Sequence, residues 1–287
     1  MESGFTGSTA YLYAVVYLGA ITVAAIWEAA APRRANAAPL RLRWIGNFAL
    51  AVIDTVAVRG LIPLSIIAFS IATGDRGWGL LNLVELPIWS AVVVSIFALD
   101  LSRYVFHRLH HQVPVLWRVH AVHHTDLDYD FTTALRFHPI EALIATAWAF
   151  ALIAALGPPV EAVIAYEVVS AAVSIAQHAN AKLPSSLDRL LRLVLVTPDV
   201  HRIHHSAQRQ EADSNFGTVF PFWDRLFATY RAAPALGHER MQIGLEEYRD
   251  RSCLTVPAML LHPFRAGRRT GALEGASAHA PEPQDSA

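Results

Sequence analysis

Residues 201–206 read HRIHHS, and residues 120–125 read HAVHHT. The same H-x-x-H-H spelling thus recurs in a chain with 14 histidines, and 11 of them fall between positions 107 and 205. They come as HRLHH from His107, HAVHH from His120, RFHP around His138, QHAN around His178 and HRIHH from His201. On a helix, residues i, i+3 and i+4 share a face. Each spelling is therefore expected to present three imidazoles toward one volume. Without a metal, every ring would need a hydrogen-bonding partner, and the cluster would repel itself on protonation. One zinc takes four ligands, or three from protein at a catalytic site. Eight or nine imidazoles therefore fit two ions with open positions left. Imidazole suits zinc, copper, iron and nickel alike, so the residues alone do not choose. Cys253 is the single cysteine, which excludes a cysteine zinc site, an iron–sulfur cluster and an internal disulfide. Neither Glu-x-x-His nor H-E-x-x-H occurs, leaving an all-imidazole, neutral-ligand pair.

Outward from the histidines the chain is apolar. Hydrophobic residues make up 54% and charged residues 16% of its 287 positions, against roughly 45–50% and 25% in soluble domains. Runs from Tyr11, from Phe48 to Ala72, from Leu86 to about Phe106, from Ile140 to Leu156 and from Val160 to Gln177 approach the ~20 residues that span a bilayer. The second carries Asp54 and Arg59, expected to face protein, and Pro63, expected to kink it. GPP at 157–159 is expected to form a tight turn, giving five spans, or four if the last two are a shallow re-entrant pair. A cleaved leader is not expected, because no Lys or Arg precedes the first apolar run. Arg33, Arg34, Arg41 and Arg43 follow the first span, whereas the next loop holds only Arg76, so the first loop reads as cytoplasmic. Counting onward puts residues 107–138 and everything after 178 on that side. The fold class is therefore all-α: a polytopic membrane bundle of four to five spans with a cytoplasmic histidine-rich cap holding a di-metal site. A net charge of −1 gives no pull toward nucleic acid. From about Gly267 the tail reads as disordered, with His279 incidental, while His238 and His262 read as interfacial.

The blocks DLSRYVFHRLHH, WRVHAVHHT, TTALRFHP, QHAN, TPDVHRIHHS, DSNFG and FWDRLFATY resemble, in order, the signature blocks of the fatty acid hydroxylase/sterol desaturase superfamily. The resemblance covers about Leu86 to Tyr230. It implies an integral-membrane, non-haem di-iron oxygenase whose irons (Fe2+/Fe3+, with zinc a possible substitute after purification) are held by His107, His111, His120, His123, His124, His201, His204 and His205, with His178 as a ninth ligand. His110 is an extra histidine in the first box, able to substitute for or assist His111. His138 is open as a metal ligand or as a residue packed behind the ligands, and Pro139 beside it favours the second. Asp199, Asp100 and Asn180 lie beside boxes and are candidates to orient ligating rings, since such rings usually give their other N–H to a carboxylate, carbonyl or water. Tyr104 and Arg108 are weighed equally as orienting residues and interfacial anchors.

No catalytic residue beyond the metal ligands is expected: Ser206 lacks the setting of a nucleophile elbow. No G-x-G-x-x-G follows a strand and no haem domain is visible, so electrons must come from an external donor of ferredoxin, cytochrome b5 or reductase type. The expected division is 1–85 as an N-terminal transmembrane region, 86–232 as the di-iron domain and 233–287 as a cytoplasmic segment with its tail. The expected activity is hydroxylation, or desaturation, of an unactivated C–H bond of a lipid such as a sterol or fatty acyl chain, with O2. The alternative is a membrane metal transporter or metal-binding protein using the same cluster; the scarcity of ionisable residues in the spans weighs against it.

Overall fold

The structure is a computed structural model that describes residues 2–265, with side chains from Tyr11 onward. The tail expected to be disordered, with His279, lies outside the described residues. Among those residues the secondary structure is helical, with two isolated bridges, Pro32 to Ala181 and Ser206 to Ile243, and no strand. The longer helices are α1 (Glu2–Ala30), α2 (Leu40–Leu61), α3 (Ile66–Gly74), α4 (Ile88–Gln112), α5 (Pro114–His124), α6 (Pro139–Leu156) and α7 (Val160–Gln177). Shorter ones follow: α8 (Ser185–Leu191), α9 (Pro198–His204), α10 (Arg209–Ala212), α11 (Phe222–Leu226), α12 (Gly237–Arg240) and α13 (Val256–Arg265).

Among the described residues, five segments are long and apolar enough to cross a membrane: Tyr11–Ala30, Leu40–Gly74, Ile88–Gln112, Pro139–Leu156 and Val160–Gln177. Large apolar side chains such as Val52, Val56 and Trp89 stay exposed on their outer faces, as expected where lipid rather than water is the solvent. The second segment is broken rather than merely kinked. Pro63 lacks the N–H that would continue α2 and pushes Ile62 out of helical geometry, and Ser65 then caps α3 by accepting from the Ala68 N–H at 3.1 Å. Of the two charges on it, Asp54 is half-buried and lines an internal cavity, whereas Arg59 is exposed near the helix end rather than facing protein. The GPP turn is present. Gly157 caps α6 at φ 65, and a Cβ on it or on Gly79 would strike the backbone of the other segment.

The two ends of the bundle differ. One is closed by the contact of residues 75–87 with the Gly157 turn. At the other, the segment after α1 pairs with the segment after α7, Arg33 N–H to Asn180 O and Lys182 N–H to Ala31 O, both 2.9 Å. There α4 continues past Phe106 to Gln112, carrying the first histidine box on the same helix as its span. Pro114, Pro139 and Pro198 each start a helix, the position where proline costs no hydrogen bond.

The floor of this end is a buried polar network. The Arg43 guanidinium, wholly buried, donates to both Asp126 oxygens (2.6 and 3.0 Å) and to Asp130 (2.5 Å). Arg136 donates to Val122 O, Asn47 and Thr125, and Asn47 donates to Thr132 and Asp126. The network ties α2 to the end of α5 and to the 126–136 loop. Arg33 and Arg34 are likewise engaged, with Asp199 and the Met241 carbonyl, so of the four arginines that suggested an orientation only Arg41 is exposed.

Burial pushes the Asp126 carboxyl up, but Arg43 and Arg136 outweigh it and hold it at about 2. A depressed folded-state value contributes stability that is present above the ordinary 3.8 and lost as pH falls toward 2. Asp126→Asn is expected to destabilise the protein by about 3–5 kcal/mol, because it leaves a buried guanidinium short of its partner. In thermal unfolding of detergent-solubilised protein, the gap between wild type and variant should hold from pH 7 to 5 and shrink below pH 4.

Candidate metal centre

Four helix ends converge at this end of the bundle. His107 and His111 lie in the last turns of α4, His120, His123 and His124 end α5, His178 caps α7, and His201, His204 and His205 end α9. Their ring nitrogens form two groups, each with its ligand atoms within 4.8 Å of one another: His107, His111, His120, His124 and His204, and His123, His178, His201 and His205. Eight of the nine rings are buried and His107 is half-buried. All nine histidines expected as ligands are thus brought together.

The H-x-x-H-H boxes do not each face one volume, as helical spacing alone suggested. At about 100° per residue, i and i+4 point within about 40° of each other, whereas i+3 and i+4 differ by about 100°. His120 and His124 therefore enter the five-membered group while His123 enters the other; in the third box His201 and His205 enter the four-membered group while His204 crosses to the first.

Backbone carbonyls set the ring tautomers. Nδ1 of His107 donates to Phe216 O (2.9 Å), of His204 to Ser214 O (2.8 Å), of His123 to Arg136 O (3.2 Å) and of His178 to Ser174 O (2.7 Å). A carbonyl can only accept, so the proton sits on Nδ1 and Nε2 presents a lone pair. Those of His107 and His204 are buried without a partner, and those of His123 and His178 face each other at 3.3 Å. Lone pairs converging in a buried volume repel one another unless a cation lies among them. Burial, then the neighbouring imidazoles, hold His123, His124, His201, His204 and His205 well below the ordinary histidine range, and burial lowers His178 to about 4. These six rings are thus held toward the neutral form that a metal ligand takes. The donor set fits a transition metal in each group and, by ligand type, does not separate iron from zinc, copper or nickel.

Two rings are held by carboxylates that the sequence reading did not single out: His120 Nδ1 by Glu141 at 2.7 Å, and His111 Nδ1 by Asp213 at 3.2 Å. Glu141 was open to detection as an acidic residue in the first turn of an apolar span, and Asp213 as the first residue of DSNFG. The expected orienters act elsewhere. Asp100 accepts from Tyr166 and Trp223 and from the Val219 and Phe220 N–H groups, anchoring the loop just after the Phe216 carbonyl that holds His107. Asp199 is occupied by Arg33 and Arg202, and Asn180 by Arg34 and Asn36. Tyr104 meets Thr229 and Arg108 rather than an imidazole. His110 bonds its own helix at Phe106 O and lies outside both groups. His138 uses both nitrogens, accepting from the Ile140 N–H as the cap of α6 and donating to Leu260 O, and it too lies outside the groups. In α11, Asp224 accepts from the Phe216 and Gly217 N–H groups, so FWDRLFATY supports the same loop.

A cavity of about 320 Å³ opens from both groups. His107, His120, His123, His178 and His201 line its head, and α1, α4, α6 and α7 wall it between the spans with Tyr17, Phe106, Ala145 and Ala171 among others.

The sequence profile of the fatty acid hydroxylase family matches residues 92–229. Among curated proteins, the chain is 31% identical over 140 residues to alkylglycerol monooxygenase of Homo sapiens, covering 48% of this chain and 30% of that protein. It is 30% identical over 148 residues to the ornithine lipid hydroxylase OlsE of Rhizobium tropici (52% and 44%). To cholesterol 25-hydroxylase of Rattus norvegicus it is 28% identical over 148 residues (50% and 48%). The chain thus spans less than half the length of these relatives. No solved structure matches it.

Glu141→Gln is expected to weaken binding of added Co2+ by about 10–100-fold through the freed His120 ring. Titration of metal-free protein, followed by the cobalt visible spectrum, reads this directly.

Proposed function

Residues 92–229 belong to the fatty acid hydroxylase family, and from that premise we propose that the protein is a membrane-bound, non-haem di-iron oxygenase that hydroxylates, or desaturates, an unactivated C–H bond of a lipid. The observation that carries this reading is the placing of two groups of neutral imidazoles at the head of a cavity that runs between apolar helices. His107, His111, His120, His124 and His204 hold one iron and His123, His178, His201 and His205 the other. Iron bound there supplies the activation of O2 that no side chain can perform.

The chain's own residues do the rest. The walls of α1, α4, α6 and α7 admit an apolar chain from the bilayer and keep its reacting carbon under the histidines, which is positioning in the sense that lowers a barrier. The carbonyls of Phe216, Ser214, Arg136 and Ser174, with Glu141 and Asp213, hold each ring with its lone pair toward the ion and the proton away from it. Substrate is a sterol, a fatty acyl chain or a related lipid; electrons come from an external ferredoxin, cytochrome b5 or reductase. In this reading residues 86–232 are the oxygenase unit, residues 1–85 its membrane scaffold, and the histidine end faces the cytoplasm.

His123→Ala and His204→Ala, one from each group, are expected to reduce O2-dependent product formation to background while the protein still inserts in the membrane. Metal analysis should fall from two irons per chain to about one. Lipid mass spectrometry of cells with and without the protein should reveal a species heavier by one oxygen or lighter by two hydrogens. Full activity in both alanine variants would refute the reading.

A further inference from the structure

Arg103 on α4 and Glu167 on α7 are bonded to each other in the cavity lining, Nη2 to Oε1 at 2.9 Å, both within segments apolar enough to cross a membrane. Charges in that layer are costly and mark function more often than structure. None of the histidines uses this pair. Among the described residues Glu167 is the one hydrogen-bonding partner of the guanidinium and engages Nη2 alone, so the donors on Nε and Nη1 remain. The Arg103 side chain keeps 39% and Glu167 18% of its surface, and both residues line the cavity. Arg103 precedes His107 by one helical turn, a rise of about 6 Å, which sets the pair just beneath the five-histidine group.

The charge of the site selects its ligand. Arg103 and Glu167 together are neutral, so an added anion meets the carboxylate and an added cation the guanidinium. A neutral group that both accepts and donates, a hydroxyl or an amide, accepts from Arg103 and donates to Glu167 and brings no net charge into the bilayer layer. We propose that Arg103 and Glu167 form a recognition subsite for a neutral hydroxyl- or amide-bearing lipid, seating its polar group so that a carbon a few bonds away lies under the histidines. The substrate is then a lipid oxidised near its polar group, neither a bare hydrocarbon nor a free fatty acid. This inference rests on the oxygenase reading above for its meaning, but the subsite is measured by binding.

The experiment uses the full chain, iron-loaded, in nanodiscs, with equilibrium binding of labelled hexadecylglycerol, ceramide and cholesterol as neutral probes, palmitate as the anion and hexadecane as the hydrocarbon. The best neutral probe is expected to bind at least about tenfold more tightly than palmitate or hexadecane, the effect of one hydrogen bond to a charged group. R103M/E167M should erase that preference with iron content unchanged. E167Q, which leaves the guanidinium uncompensated, should move the preference to palmitate by roughly tenfold. The subsite is overturned if wild type binds all probes alike, if R103M/E167M keeps the preference, or if E167Q gains nothing on palmitate. Where the double variant loses its iron and so its fold, E167Q decides. Wild type that shows the preference yet forms no oxygenated lipid with O2 and reductant would overturn the proposed reaction and leave the subsite in place.

Discussion

The donation of an imidazole Nδ1–H to a backbone carbonyl is the constraint on which this end of the molecule depends. It is repeated at His107, His123, His178 and His204, and each instance decides where a lone pair points. A ring free to turn could satisfy itself by hydrogen-bonding a neighbour; a ring pinned by a carbonyl cannot. The four carbonyls come from different places: the Ser214 and Phe216 loop, the Arg136 turn and the end of α7. Fixing the rings therefore requires fixing three stretches of backbone that are remote in sequence. The buried polar network accomplishes one of these, since Arg43 and Asn47 on α2 hold the 126–136 loop whose last carbonyl takes His123. Asp100 and Asp224 accomplish another by holding the loop around Phe216.

Apolar burial alone could not do this work. A bundle packed by aliphatic side chains leaves the rotation of each helix loosely specified, whereas a bidentate Arg43–Asp126 pair fixes both partners in direction as well as distance. Charged groups are costly to bury, and at Arg43, Asp126 and Arg136 the cost is offset by several hydrogen bonds to each. The same reasoning explains why arginines just beyond the first span turn inward here.

Much of the site was legible in the sequence because histidine spacing on helices is local information, and the spans because twenty apolar residues in a row have few other uses. Which ring joins which group was not legible. That depends on the rotation of α5 and α9 about their axes, which is set by partners on α2 and α7. Glu141 and Asp213 were overlooked, while Asp100 and Asp199 were favoured, for one reason: proximity in sequence was taken as proximity in space. Asp100 is two turns from His107 on α4 and reaches the loop behind it; Glu141, on another helix, reaches His120. Composition likewise does not reveal that Arg33 and Arg43 have acidic partners in Asp199 and Asp126, far along the chain.

The crossing of His123 and His204 into the group opposite their own box makes the two clusters interdependent. The H-x-x-H-H boxes of α5 and α9 each feed both clusters, so a one-residue insertion in either helix would derange both at once. Neither cluster can be gained, lost or refashioned by duplicating or deleting a box. Any descendant of this sequence that kept only one cluster would have to reach that state by individual substitutions, leaving the helices and their spacing as a visible relic.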